Sequence, residues 1–123
     1  MARVLVVDDD LDVLGYVTEV LSEEYEVVSC AEPLRALDVV ESGTPIHLLL
    51  TDIKMPGLNG IALSRMAALR RSRLAVLYMT GYAEVALDNA GLLLGDVLQK
   101  PFPPEALTTA VRQAIDKVRP DDR

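Results

Sequence analysis

Apolar residues along this chain follow two rhythms. Unbroken runs occur at Arg3–Val7 (RVLVV), residues 46–51 (IHLLLT) and residues 74–80 (LAVLYMT). Continuous rather than alternating hydrophobicity marks strands covered on both faces, as in a parallel sheet. Residues 25–30 (YEVVSC) form a less pure run of the same kind, and residues 96–100 (DVLQK) a short fifth. Between these runs the apolar spacing lengthens to that of a helix. Val13, Leu14, Val17, Val20 and Leu21 recur behind Asp10, whose side chain is suited to cap a first turn. Leu34, Leu37 and Val40 follow Pro33, while Ile61, Leu63, Met66 and Leu69 mark a third helix. Leu107, Val111, Ala114, Ile115 and Val118 follow Pro104, which is tolerated in a first helical turn. The segment 84–95 (EVALDNAGLLLG) is interrupted at Gly91 and predicts a short, frayed or mobile helix.

Strands and helices that alternate in this way predict an α/β fold with a doubly wound, five-stranded parallel sheet and helices on both faces. In such sheets ligands bind beyond the carboxyl ends of the strands, where the strand order reverses. Asp8 and Asp9 end the first strand, Asp52 the third, Thr80 the fourth and Lys100 the fifth. In the flavodoxin-like order 2-1-3-4-5 these residues converge on one edge. At 123 residues the chain fits one domain. Pro120 and the following DDR read as a polar tail or the start of a linker.

Charge narrows the partners. A net charge of -7 argues against direct nucleic-acid binding, which needs a basic surface to replace counterions on phosphate. A protein, a cation or both are expected instead. The single cysteine, Cys30, cannot form an internal disulfide and reads as a small buried residue in a reducing compartment. The amino terminus MARVLVVDDD has neither the apolar region of a signal peptide nor the length of a membrane span, so a cytoplasmic protein without membrane attachment is expected.

Three carboxylates brought together repel one another, and such a cluster is suited to a hard cation. Mg²⁺ fits a few carboxylates, water and a phosphate oxygen. Beside that ion a carboxylate becomes a feasible nucleophile toward phosphorus. Lys100 could then neutralise developing phosphoryl charge, and the Thr80 hydroxyl could donate to a phosphate oxygen. Each residue also has an ordinary reading. Asp8 and Asp9 could open a loop, Asp52 could precede the turn Met55-Pro56-Gly57, and Lys100 could be a snorkelling surface lysine. On the functional reading Lys100 stands at the mouth of the site and not in the core, so Lys100→Ala is expected to keep stability within about 0.5 kcal/mol. His47, the only histidine, begins a strand and reads as structural. The shared placement of the five candidates at strand ends favours a common site.

Four stretches, VLVVDDD, LLLTDIKMPGLNG, VLYMTGYAE and VLQKPFPPEAL, resemble the receiver domain of two-component response regulators, in order and over residues 1–119. The resemblance implies that Asp52 accepts a phosphoryl group from a histidine kinase or a histidine phosphotransfer domain. It implies Mg²⁺ held by Asp8, Asp9, Asp52 and the backbone carbonyl of Lys54, with Thr80 and Lys100 contacting the phosphoryl group and a cis bond between Lys100 and Pro101. The only catalysis implied is of the domain's own phosphorylation and dephosphorylation. The stretch from Leu98 also resembles receivers of hybrid sensor kinases, which makes the kinase core of the same chain a candidate donor. One position departs from the pattern: Val97 stands where such receivers carry an aromatic that moves with the threonine. With no ring there to move, phosphorylation is expected to act by ordering segment 84–95. Two other readings are an Mg²⁺-dependent phosphohydrolase and a receiver kept only as a docking module. Lys54 stands where the first would want an acid two residues after its nucleophile. The second would be expected to lose an acid, Thr80 or Lys100, and all are present.

Overall fold

The computed structural model describes residues 1–118, so the tail expected from residue 120 lies outside the described residues. The elements follow in the order β1 (Arg3–Val7), α1 (Leu11–Leu21), β2 (Glu26–Cys30), α2 (Pro33–Glu41), β3 (Leu48–Asp52), α3 (Gly60–Arg70), β4 (Ala75–Thr80), α4 (Ala83–Asp88), a 3-10 turn (Ala90–Leu92), β5 (Val97–Gln99) and α5 (Pro104–Val118). The strands form one sheet in the order β2-β1-β3-β4-β5, all pairs parallel. The expected fold and strand order are both met.

Two-sided burial explains the unbroken apolar strands. Val4 and Val6 of β1 join Leu48 and Leu50 of β3 in a core covered by Leu14, Val17 and Leu21 of α1 and Leu107, Val111 and Ala114 of α5. Leu5, Val7 and Leu49 point the other way, toward Ala36 and Val40 of α2 and Leu63 and Ala67 of α3. Successive side chains of one strand thus feed opposite layers, so every position must be apolar. The first helix is capped as expected, since the Asp10 carboxylate accepts the N–H groups of Asp12 and Val13.

Two helices bury only part of the faces that their leucines suggest. α2 buries Pro33, Ala36 and Val40, leaving Leu34 exposed. α3 buries Gly60, Ile61, Leu63, Ser64 and Ala67, while Met66 lies at the surface and Leu69 is 82% exposed. The physical reason is close approach. A Cβ built on Gly60 would lie 1.9 Å from the Asp52 carbonyl oxygen, so the start of α3 packs close through small residues, with Ile61 and Leu63 buried as expected and Met66 and Leu69 turned outward.

The edge beyond β4 is thin. α4 has six residues, none buried, and β5 has three. The expectation of a short fourth helix is met. Val85, Ala86 and Leu93 rest against a small cluster of Ile53, Ile61, Val76 and Tyr78, with Val97 alongside. His47 has the structural role expected of it, accepting the Arg3 N–H at Nδ1 over 2.9 Å. Cys30 is only half-buried, and its carbonyl accepts the Asp8 N–H at 3.2 Å. Among the described residues no helix is long and apolar enough to cross a membrane.

Candidate functional site

Each candidate is carried to the sheet edge by the strand that ends there. Asp8 follows β1, and its carboxylate is tied on two sides: Oδ1 accepts the Asp10 N–H at 2.9 Å, and Oδ2 accepts the Lys100 ammonium at 2.8 Å. Asp52 closes β3. The next residue, Ile53, offers its carbonyl to the Gly60 N–H at 2.7 Å, which seats the start of α3 against the strand end. Thr80 closes β4, where its hydroxyl accepts the Tyr82 N–H at 2.9 Å and donates to the Tyr82 carbonyl at 3.2 Å. Lys100 follows β5, its N–H donating to the Thr80 carbonyl at 2.8 Å, and the Lys100-Pro101 peptide bond is cis.

Carboxylate oxygens of Asp8, Asp9 and Asp52 lie within 4.8 Å of one another. Asp8 and Asp52 are buried and Asp9 is exposed, so the cluster is held from beneath and open to water above. Three oxygen donors at this spacing, one facing solvent, fit a small hard cation that completes its shell with water. A cavity of about 550 Å³ opens over the cluster, lined by Asp9, Asp10, Asp52, Lys54, Gly81, Tyr82 and Lys100.

Lys100 does not behave as a surface lysine. Its side chain is 19% exposed, and the ammonium lies 2.8 Å from Asp8 and 3.3 Å from Asp52. It is the counter-charge of a buried acid pair at the mouth of the cavity, so its removal is now expected to cost more than the roughly 0.5 kcal/mol of a surface position. Burial pushes the Asp52 carboxyl above the usual carboxylate range, and the neighbouring Asp8 charge adds to this, against the lowering effect of Lys100. For Lys100 burial acts downward, but the bond to Asp8 and the charges of both carboxylates outweigh it and raise the ammonium's pKa. The pair is therefore held in one arrangement by charges that need each other.

Two contributors escaped the reading of the sequence. Asp10, read as a cap, also lines the cavity. Tyr82, set aside as a scattered aromatic, stands at the rim with the Lys54 ammonium 5.1 Å from its ring centre. The available signal was position, because each lies within two residues of a strand-end candidate.

Residues 4–112 match the family described as the response regulator receiver domain. The chain belongs to that family. It is 35% identical to Response regulator MprA of Mycobacterium avium over 98% of its own length and 54% of the relative's. It is 31% identical to Sporulation initiation phosphotransferase F of Bacillus subtilis, covering 92% of this chain and 93% of that one. Other curated relatives are longer, and the chain spans from 25% to 58% of their length. Among solved structures, a CheY-like response regulator receiver domain protein from Methanospirillum hungatei JF-1 superposes with a TM-score of 0.88 at 28% identity, over 98% of each chain. Membership gives this receiver a phosphoacceptor role in two-component signalling.

Proposed function

We propose that Asp52 is the phosphoacceptor and that it is phosphorylated in an Mg²⁺-dependent reaction by a histidine kinase or a histidine phosphotransfer domain. The single observation carrying this reading is the buried Asp8–Lys100–Asp52 bridge beside a third carboxylate, with Asp9, Asp52 and Lys100 lining one cavity. Asp8, Asp9, Asp52 and the Lys54 carbonyl would hold the cation. When bound, Mg²⁺ offsets the acids' mutual repulsion and draws electron density from a phosphoryl oxygen. A carboxylate oxygen of Asp52 attacks phosphorus, the P–N bond to the donor imidazole breaks, and the imidazole leaves with its bonding electrons and takes up a proton. Lys100 balances the charge gathering on the phosphoryl oxygens, and Thr80 exchanges its bonds to Tyr82 for one to the phosphoryl group. Because the chemistry ends on the protein's own side chain, the product is a changed surface rather than a released molecule. The kinase core of the same chain is the first donor to test where the receiver is part of a hybrid kinase, and a cytoplasmic setting suits either source.

Intact-mass measurement after treatment with acetyl phosphate tests the assignment. One phosphoryl group is expected on the wild type with Mg²⁺, and none on Asp52→Asn or after chelation. Labelling that survives either change would overturn it. A receiver retained only for docking, a reading that rests on Val97, would bind its partner equally well with and without the label.

A further inference from the structure

The hydroxyl of Tyr78 lies at the meeting point of three elements. Its side chain is the largest among those wholly removed from solvent, and its register partner on β5 is Val97. The hydroxyl is 2.6 Å from Ser64 Oγ on α3 and accepts the Leu94 N–H at 3.1 Å. Ser64 Oγ in turn donates to the Ile61 carbonyl at 2.8 Å. A hydroxyl carries one proton. With the serine proton committed to Ile61, Tyr78 must donate to Ser64, and the chain runs in one direction: Leu94 N–H to Tyr78, Tyr78 to Ser64, Ser64 to Ile61. Every hydroxyl in it has both a donor and an acceptor partner, the condition under which a buried polar network rigidifies its surroundings.

The segment this chain holds has little else to hold it. At its start, Thr80 grips Tyr82 through two hydrogen bonds. At its end, besides the Tyr78 bond to Leu94, the Arg65 guanidinium donates to the Leu92 carbonyl at 3.1 Å and the Tyr78 N–H donates to the Asp96 carbonyl at 3.0 Å. Gly95 lies so close to β4 that a Cβ there would be 1.8 Å from the Val76 carbonyl oxygen. The two attachments differ in kind. The leading one uses a hydroxyl at the cavity, while the trailing one combines the buried Tyr78 hydroxyl with a surface arginine and a backbone bond to β4.

We propose that the Tyr78 hydroxyl is a clasp, fixing residues 94–96 as the pivot about which α4 and the 3-10 turn move when Thr80 lets go of Tyr82. The proposal rests on phosphorylation at Asp52 for its trigger, but the clasp itself is a property of the resting protein. α4 and the 3-10 turn are already formed in this structure, so what is proposed is movement of a formed element about one end, in place of an ordering of residues 84–95. Tyr78 and Thr80, two apart on one strand, project to the same face, so one strand carries both the release and the pivot.

Site-resolved amide exchange on the full chain tests this, with Tyr78→Phe, which keeps the ring and removes only the hydroxyl, and Ser64→Ala, which removes its acceptor. In the resting protein the Leu94 amide should exchange about tenfold faster in Tyr78→Phe, with a smaller rise in Ser64→Ala. An unchanged Leu94 rate in Tyr78→Phe would overturn the clasp. With Mg²⁺ and beryllofluoride, exchange in the wild type should change across residues 82–88 and stay fixed at 94–96, whereas in Tyr78→Phe the change should spread through both. Equal change in the two stretches of the wild type would overturn the pivot. Failure of beryllofluoride to bind the wild type, read separately by fluorine spectroscopy, would count against the phosphoacceptor assignment and leave the resting-state result standing.

Discussion

The middle of the sheet and its β5 edge are built to different standards. Every residue of β3 and β4 is buried, and each strand is flanked by others on both sides. One strand further out, β5 is three residues long with none buried, and α4 contributes no buried residue. The acids are mounted on the first kind of structure, and the surface that can report on them belongs to the second. A reacting group needs fixed geometry, since small displacements lose alignment. A responding element needs alternatives of similar free energy, which sparse burial provides. Asp52, the proposed reacting group, ends β3, and β4 stands between it and the β5 edge.

The contrast can be broken most forcefully at the centre. Leu50, wholly buried in β3, should cost about 2–5 kcal/mol when changed to alanine, measured by denaturant titration. A loss under about 1 kcal/mol would mean that the centre is not the rigid half. Next comes the lysine that ties the edge to the centre. Lys100→Ala leaves Asp8 buried without its 2.8 Å partner, and a loss of about 2 kcal/mol is expected at neutral pH without Mg²⁺. Added Mg²⁺ should recover part of that loss, because it binds the folded form alone.

A smaller effect of opposite sign is expected at Asp52. Burial and the Asp8 charge raise its folded pKa, so the folded chain holds that proton more tightly than the unfolded one. On this account stability is greatest below the unfolded carboxyl value of about 3.9 and falls as pH rises through the higher folded value. Asp52→Asn removes the buried charge. It should unfold at higher denaturant than the wild type at neutral pH without Mg²⁺, with the gap closing as pH falls toward about 4. A gap that widens on acidification would reverse the sign. The smallest effect belongs to the edge: Leu87 of α4, 76% exposed, should tolerate alanine within about 0.5 kcal/mol.

Much of this architecture was legible in the residues. Strands announced themselves as unbroken apolar runs because both faces of a parallel sheet are covered, and the candidate site followed because its members stand where those runs stop. The helix faces of α2 and α3 were less legible. Leu34 and Leu69 suggested a face by size, whereas Ala36, Gly60, Ser64 and Ala67 set it by letting the helices come close. Lys100 alone looks like any lysine, and its burial depends on two acids far away in the chain. Tyr78 was hidden for a similar reason. Its partners are a backbone N–H and a serine on α3, and nothing in local spacing brings the three together.

The Asp8–Lys100 bond joins residues 92 positions apart, on strands separated in the sheet by two others. No fragment that ends before residue 100 can contain the finished site. Closing so long a loop is entropically unfavourable until the intervening strands have docked, so the counter-charge arrives late in folding. A chain still being synthesised, or one whose edge has peeled away, carries the acids without the ammonium that makes their proximity tolerable. On the proposed assignment of Asp52, competence to receive a signal is tied to completion of the fold.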